Sequence, residues 1–326
     1  MILSRTPLRV SFVGGGTDLP AFYENNEYGS VVSMAINRYI YIGVNHRFDG
    51  KIRLAYSTNE LVDTISEIEN DRIQAALRKL EIEKGIEIFY ISDVPKKMGL
   101  GGSSSFTVGL LNALYQFKGV KAFPERLARE ACELEIDILQ NSIGKQDQYA
   151  AAFGGLNYIR FHANGIVSVR PVMINEELVL SLLNNLFFIY LGQSHDASSI
   201  LSDVTGNMSN TNSYLRDMRD LADGLYDSMM KCDLDGFTYA LRQNWELKKK
   251  TSRHISNGLI DDVYQRAMKA GAEAGKVLGA GGGGFFMAYV PPERQASFSK
   301  ELSDMKIFQF HLDHIGTQVV HNDSGM

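Results

Sequence analysis

Pro95-Lys-Lys-Met-Gly-Leu-Gly-Gly-Ser-Ser-Ser105 is the stretch on which the reading of this chain turns. Before it, Ile86, Ile88 and Tyr90 share one face at the strand period of two. After it, Phe106, Leu110, Ala113, Leu114 and Phe117 fall on one stripe, which predicts a helix over 106–117. A strand thus enters a glycine turn and leaves as a helix opened by serines. Free N–H groups and the dipole at a helix start favour an anion. Hydroxyls add hydrogen bonds or a ligand for a hard cation. The stretch is no Walker loop, because no Gly-Lys-Ser/Thr closes it, and no G-x-G-x-x-G, because Ser104 stands at the last glycine. On the turn alone, an anion cradle and a plain capped helix stand level.

Upstream, Leu8, Val10 and Phe12 alternate with Arg9 and Ser11, so 7–13 reads as a strand with one buried face. It runs into Gly14-Gly-Gly-Thr-Asp18, a sharp turn ending in a carboxylate that is either a turn cap or a ligand contact. Residues 31–44 are strand-like, being rich in β-branched and aromatic side chains, and 51–56 continue a sheet. Leu61 to Leu80 has helical spacing. A further helix starts after Pro124 and carries Glu133, Glu135 and Asp137.

Asp147, in Gly144-Lys-Gln-Asp-Gln-Tyr-Ala-Ala-Ala-Phe-Gly-Gly155, reads as a helix N-cap, as a base beside a substrate hydroxyl, or as both. Residues 156–161 and 166–172 follow as strands. Phe187–Leu191 is a buried strand leading to a polar loop with Ser194 and His195. Helices are expected over 213–232, 234–250 and 259–274, with Lys248-Lys-Lys250 as a solvated helix end. A second glycine-dense turn, 279–284, costs so much chain entropy that backbone contact with a ligand is the preferred account. The last residues, from His321, read as a frayed tail.

With 326 residues, 44% of them hydrophobic, the chain can build one large core or two modest ones. A net charge of -5 argues against nucleic-acid and anionic-membrane partners. Cys132 and Cys232 lack metal-like spacing. A cytoplasmic protein acting on small molecules is expected.

Three separated segments agree: strand–Gly-Gly-Gly-Thr-Asp18, Gly99-Leu-Gly-Gly-Ser-Ser-Ser105 and Gly279-Ala-Gly-Gly-Gly-Gly284, with Gly144-Lys-Gln-Asp147 between the last two. In this order they resemble the GHMP kinases over nearly the whole chain, and within them the sugar-1-kinase branch. The resemblance implies an α+β, two-domain GHMP kinase fold. Its halves would be 1–165, ribosomal S5 domain 2-like, and 166–326, ferredoxin-like, with ATP and sugar in the cleft between them.

The resemblance also implies ATP-dependent phosphorylation of an anomeric hydroxyl. The first expected substrate is a heptose 7-phosphate; an unphosphorylated fucose- or galactose-like sugar is the alternative, and a catalytically silent ATP/sugar sensor is the reading outside enzymes. Gly99, Leu100, Gly101, Gly102, Ser103, Ser104 and Ser105 would wrap the ATP phosphates. Ser103, or Ser104 one position on, and Glu135 would hold Mg2+. Asp147 would be the catalytic aspartate and Arg9 would steady developing charge. Gly15, Gly16, Thr17, Asp18, Ser194, His195, Gly281 and Gly282 would border the sugar. The branch carries an arginine near position 195, where this chain has Gly192-Gln-Ser-His.

Overall fold

The computed structural model describes residues 1–192 and 197–323. The first half contains β1 (Ile2–Val13), a one-turn α1 (Pro20–Tyr23), β2 (Tyr28–His46), β3 (Ile52–Ala55), β4 (Asn59–Val62) and α2 (Asp71–Lys79). It continues through β5 (Ile86–Ser92), α3 (Gly102–Phe117), α4 (Pro124–Cys132), α5 (Gln146–Phe153), β6 (Leu156–His162) and β7 (Val167–Pro171). The second half contains α6 (Glu176–Asn184), β8 (Leu186–Gly192), α7 (Ala197–Gly206), α8 (Met208–Met230), α9 (Leu234–Lys249), α10 (Gly258–Lys269) and β9 (Ala274–Val277). Then come β10 (Gly284–Tyr289), α11 (Gln295–Glu301), β11 (Ile307–Phe308) and β12 (Gln318–Asn322).

β2 is the spine of the larger sheet. Its β-branched and aromatic residues let it stay extended for 19 residues. It pairs with β1 along one side, and on the other with β6 through Tyr28–Met34 and with β5 through Ile40–His46. Helix α3 packs on β1 and β2. It is buried nearly all round, from Ser104 to Tyr115, so it is the central helix of this half and has no single apolar stripe. The smaller sheet has the order β11-β8-β10-β9 and is antiparallel throughout. One apolar cluster runs across both halves, and a second lies within the second half. Phe12 of β1 meets Phe237 of α9 edge-on, with ring centroids 5.2 Å apart.

Several expectations are corrected here. The spacing of Leu61 to Leu80 does not make one helix. Asn70 accepts a hydrogen bond from the Ile73 N–H at 3.1 Å, which starts α2 after the strand β4 and a tight turn at 65–67. The C-terminal segment is not frayed at His321, because β12 pairs with the open edge of β1 and satisfies its backbone groups. The expected division at 165/166 falls inside the β6–β7 hairpin. The chain leaves the larger sheet only at Pro171 and returns to it as β12.

Candidate active site

The glycine–serine turn joins β5 to α3 at the edge of a cleft of about 570 Å³. Gly99, Leu100, Gly101, Gly102, Ser103 and Ser104 all line that cleft. Gly101 is the N-cap of α3 and no side chain caps the helix, so the first-turn N–H groups remain for an anion. Helix rotation of about 100° per residue separates the serines. Ser103 and Ser104 face the cleft, whereas the Ser105 hydroxyl donates to the Pro7 carbonyl at 2.9 Å. Ser105 therefore fixes the helix to β1 and does not wrap phosphate.

The two glycine loops lie against each other. A Cβ on Gly99 would stand 2.5 Å from the Leu278 carbonyl oxygen, and one on Gly279 would stand 2.6 Å from the Gly99 Cα. Both residues have positive φ, 75° and 68°. Backbone contact between the loops, more than contact with a ligand, thus accounts for the second glycine run. Gly281 lines the cleft. Gly282 does not border the substrate as expected; its N–H donates to the Ile255 carbonyl at 3.0 Å and its own carbonyl accepts from Asn257.

Arg9 and Asp147 meet in the cleft as a two-pronged pair, Nε to Oδ1 at 2.7 Å and Nη2 to Oδ2 at 2.8 Å. Arg9 Nη1 donates to the Gly99 carbonyl at 2.6 Å, so one guanidinium joins the carboxylate to the cradle. Asp147 is not the cap of α5. It lies inside the first turn, with Lys145 at the cap position, and its carboxylate is held by Arg9. Each of its oxygens keeps a further lone pair for an incoming hydroxyl.

Asp18 accepts from the Gly16 N–H at 2.9 Å, the Gln146 N–H at 3.2 Å and Gln146 Nε2 at 3.2 Å. Burial pushes its carboxyl up from the usual range, against the hydrogen bond from Gly16. Gly144 admits it closely, since a Cβ there would lie 1.8 Å from Asp18 Oδ2. Gly15 and Gly16 line the cleft beside it. Thr17 turns away, a correction to its expected place at the sugar. Its hydroxyl donates to the Gly14 and Ser30 carbonyls at 2.8 and 2.9 Å and closes the turn.

Glu135 is also corrected. It is fully buried, and its carboxylate accepts from Thr107 at 2.9 Å, Arg72 at 3.1 Å and Gln148 at 2.7 Å. No group of three or more His, Cys, Asp or Glu among the described residues could hold a metal. The residues as arranged therefore do not form a protein cage for Mg2+. The Ser103 hydroxyl faces the cleft, whereas Glu135 does not line it and is held by Thr107, Arg72 and Gln148. Ser194 and His195 lie outside the described residues.

Sequence reasoning missed several cleft residues. Lys248 is buried and lines the cleft, contrary to the expected solvated helix end. Its signal was present: Leu241, Asn244, Trp245 and Lys248 recur at the helical period on the buried face of α9. Burial, reinforced by Arg9, lowers the Lys248 ammonium to about 8. Lys276 is buried too, with Nζ donating to the Ser11 and Phe12 carbonyls at 3.1 and 2.7 Å. Ser11 Oγ and Gln146 Oε1 are buried without a protein partner, and both residues line the cleft. They flank Gly15, where hydroxyls of a ligand would satisfy them.

A family model described as the GHMP kinases N terminal domain matches residues 68–155, and one described as GHMP kinases C terminal matches 216–305. The D-glycero-alpha-D-manno-heptose 7-phosphate kinase of Campylobacter jejuni is 30% identical over 320 residues, covering 92% of this chain and 93% of that protein. A bifunctional fucokinase/GDP-fucose pyrophosphorylase of Arabidopsis thaliana is 25% identical over 91% of this chain, which corresponds to 30% of that longer protein. Among solved structures, a D-glycero-D-manno-heptose 1-phosphate kinase from Bacteroides thetaiotaomicron has a TM-score of 0.82 at 26% identity, covering 99% of this chain and 100% of that one. The galactokinase of Lactococcus lactis, complexed with galactose, shares the fold with a TM-score of 0.77 at 15% identity, over 97% of this chain and 94% of that one.

Proposed function

The chain belongs to the GHMP kinases and is a sugar kinase, and from that premise we propose that it transfers the γ-phosphoryl group of ATP to the anomeric C1 hydroxyl of D-glycero-D-manno-heptose 7-phosphate, giving the 1,7-bisphosphate. The observation that carries the reading is the Arg9–Asp147 pair, joined through Gly99 to a helix start that can receive phosphate. Phosphoryl transfer needs mostly positioning and charge neutralisation, and this chain offers both.

In this reading Gly99 to Ser104 bind the nucleotide phosphates through backbone N–H groups and hydroxyls. Asp147 accepts the proton of the attacking hydroxyl, and Arg9 holds Asp147 in place. Asp18, Gly15, Gly16 and Gly281 border the sugar, with Ser11 and Gln146 added to the expected set. The Ser103 hydroxyl is the cleft group that would contact a Mg2+ ion bound with the nucleotide, and such an ion would neutralise phosphate charge. No helix among the described residues is long and apolar enough to cross a membrane.

The heptose kinases among the relatives support the substrate. The Arabidopsis fucokinase, and the Gly192-Gln-Ser-His sequence where the heptose-kinase branch has an arginine, favour a second reading in which the sugar carries no phosphate. An ADP-release assay over heptose 7-phosphate, free heptose, fucose and galactose separates the two. The first reading predicts the highest kcat/KM for heptose 7-phosphate, with phosphorus NMR placing the new phosphate at C1. A higher kcat/KM for a phosphate-free sugar sinks it.

A further inference from the structure

Lys248 has a place in the fold that these roles leave unused. It closes the buried stripe of α9, so its side chain enters the cleft and not the solvent. Its Nζ donates to the Gly279 carbonyl. An ammonium has three donors, and among the described residues Lys248 has no other acceptor. Gly279 packs against Gly99, whose carbonyl holds Arg9. Two cations are thus tethered to two loops in backbone contact, beside the start of α3. Arg9 spends three of its five N–H groups on Gly99 and Asp147, and Lys276 two of its three on the carbonyls of β1. Lys248 has one of its three donors met among the described residues, the smallest share of these three cleft-lining cations. Arg9 repels it and Asp18 attracts it. A buried charge with unmet donors is stabilised when an anion arrives.

We propose that Lys248 is a catalytic residue of the phosphoryl transfer, its ammonium binding the non-bridging oxygens of the transferred group between the paired glycine loops and the Arg9–Asp147 pair. In that step the acceptor hydroxyl oxygen forms a bond to the γ-phosphorus. The bond from phosphorus to the bridging oxygen breaks, and its electron pair leaves on ADP. The hydroxyl proton passes to Asp147. Lys248 keeps its protons throughout and neutralises charge on the oxygens in flight. The inference rests on the kinase reading, which wild-type turnover tests by itself.

The competing account is that Lys248 only ties down the Gly279 loop. Lys248→Gln separates the two, because its amide can still donate to Gly279 while the charge is gone. Lys248→Met removes both. ATP dissociation constants from calorimetry and kcat with saturating sugar are measured on the full chain. Both variants are expected to bind ATP within threefold of wild type and to lose on the order of 10²-fold in kcat, the usual effect of removing one preorganised charge-stabilising donor. Lys248→Arg is expected to recover part of the loss. Near-normal kcat in Lys248→Gln overturns the inference, as does a kcat loss confined to Lys248→Met. A wild-type protein that binds ATP but turns over no sugar instead overturns the kinase reading, and the inference with it.

Discussion

Replacing Lys248 by Met should make the protein more stable at neutral pH even as it slows the enzyme. The side chain is 7% exposed, and its ammonium is lowered from 10.5 to about 8, first by burial and then by Arg9. That lowering corresponds to roughly 3 kcal/mol of destabilisation at any pH below 8. Met has a similar length and no charge, so it removes that destabilisation. It also leaves the Gly279 carbonyl without its donor, which costs about 1 kcal/mol. The expected net gain at pH 7 is about 2 kcal/mol. The sign of the pH dependence follows from linkage. Between about pH 8 and 10.5 the unfolded chain holds a proton on Lys248 that the folded chain has released, so wild-type stability rises with pH across this window. The advantage of Lys248→Met should therefore be full below pH 8 and gone near pH 10.5. Urea unfolding followed by circular dichroism at pH 7, 9 and 10 measures it. A variant less stable than wild type at pH 7, or a difference that does not shrink with pH, would refute the reasoning.

Gly279→Ala should be damaging out of proportion to its size, because its Cβ would meet the Gly99 Cα at 2.6 Å; a loss of at least tenfold in ATP affinity by calorimetry is expected. Glu135→Ala should cost about 2–4 kcal/mol in denaturant unfolding, since it leaves the buried donors of Thr107 and Gln148 without their acceptor, whereas Glu135→Gln should fold and show an unchanged Mg2+ concentration dependence of rate. Asp147→Asn should lower kcat on the order of 10²–10⁴-fold in the ADP-release assay while ATP still binds.

The strand–glycine–helix order around residues 86–117 was legible in the sequence because local turn chemistry and periodicity decide it. Asp147 was legible as a candidate for the same reason and does line the cleft, although it is not the cap of α5. What periodicity could not supply was the direction in which a polar side chain turns. Ser103 and Ser105 differ by two helical steps, and only the position of β1 tells which one meets the Pro7 carbonyl. Thr17 looks like a ligand contact until Ser30, thirteen residues on, claims its hydroxyl. Glu135 sits among acids that suggest a solvated face, and its burial depends on Arg72 and Gln148, which lie far apart in sequence. The run Lys248-Lys-Lys250 hides one inward-facing member behind two ordinary ones. The pairing of β12 with β1 joins opposite ends of the described chain, a distance that local pattern does not span.

The contact between Gly99 and Gly279 bears on how such an enzyme can be recombined. The two loops come from different halves, yet each occupies the space in which the other would carry a side chain. Neither can therefore be altered as a separate module. A chimera that takes its first half from one kinase and its second from another inherits two surfaces shaped for different counterparts. A mismatch of one methyl group at this seam would separate the glycine–serine loop from the wall that supports it. Exchange between relatives should succeed when both loops travel together and fail when they are divided, whatever the similarity of the remaining sequence.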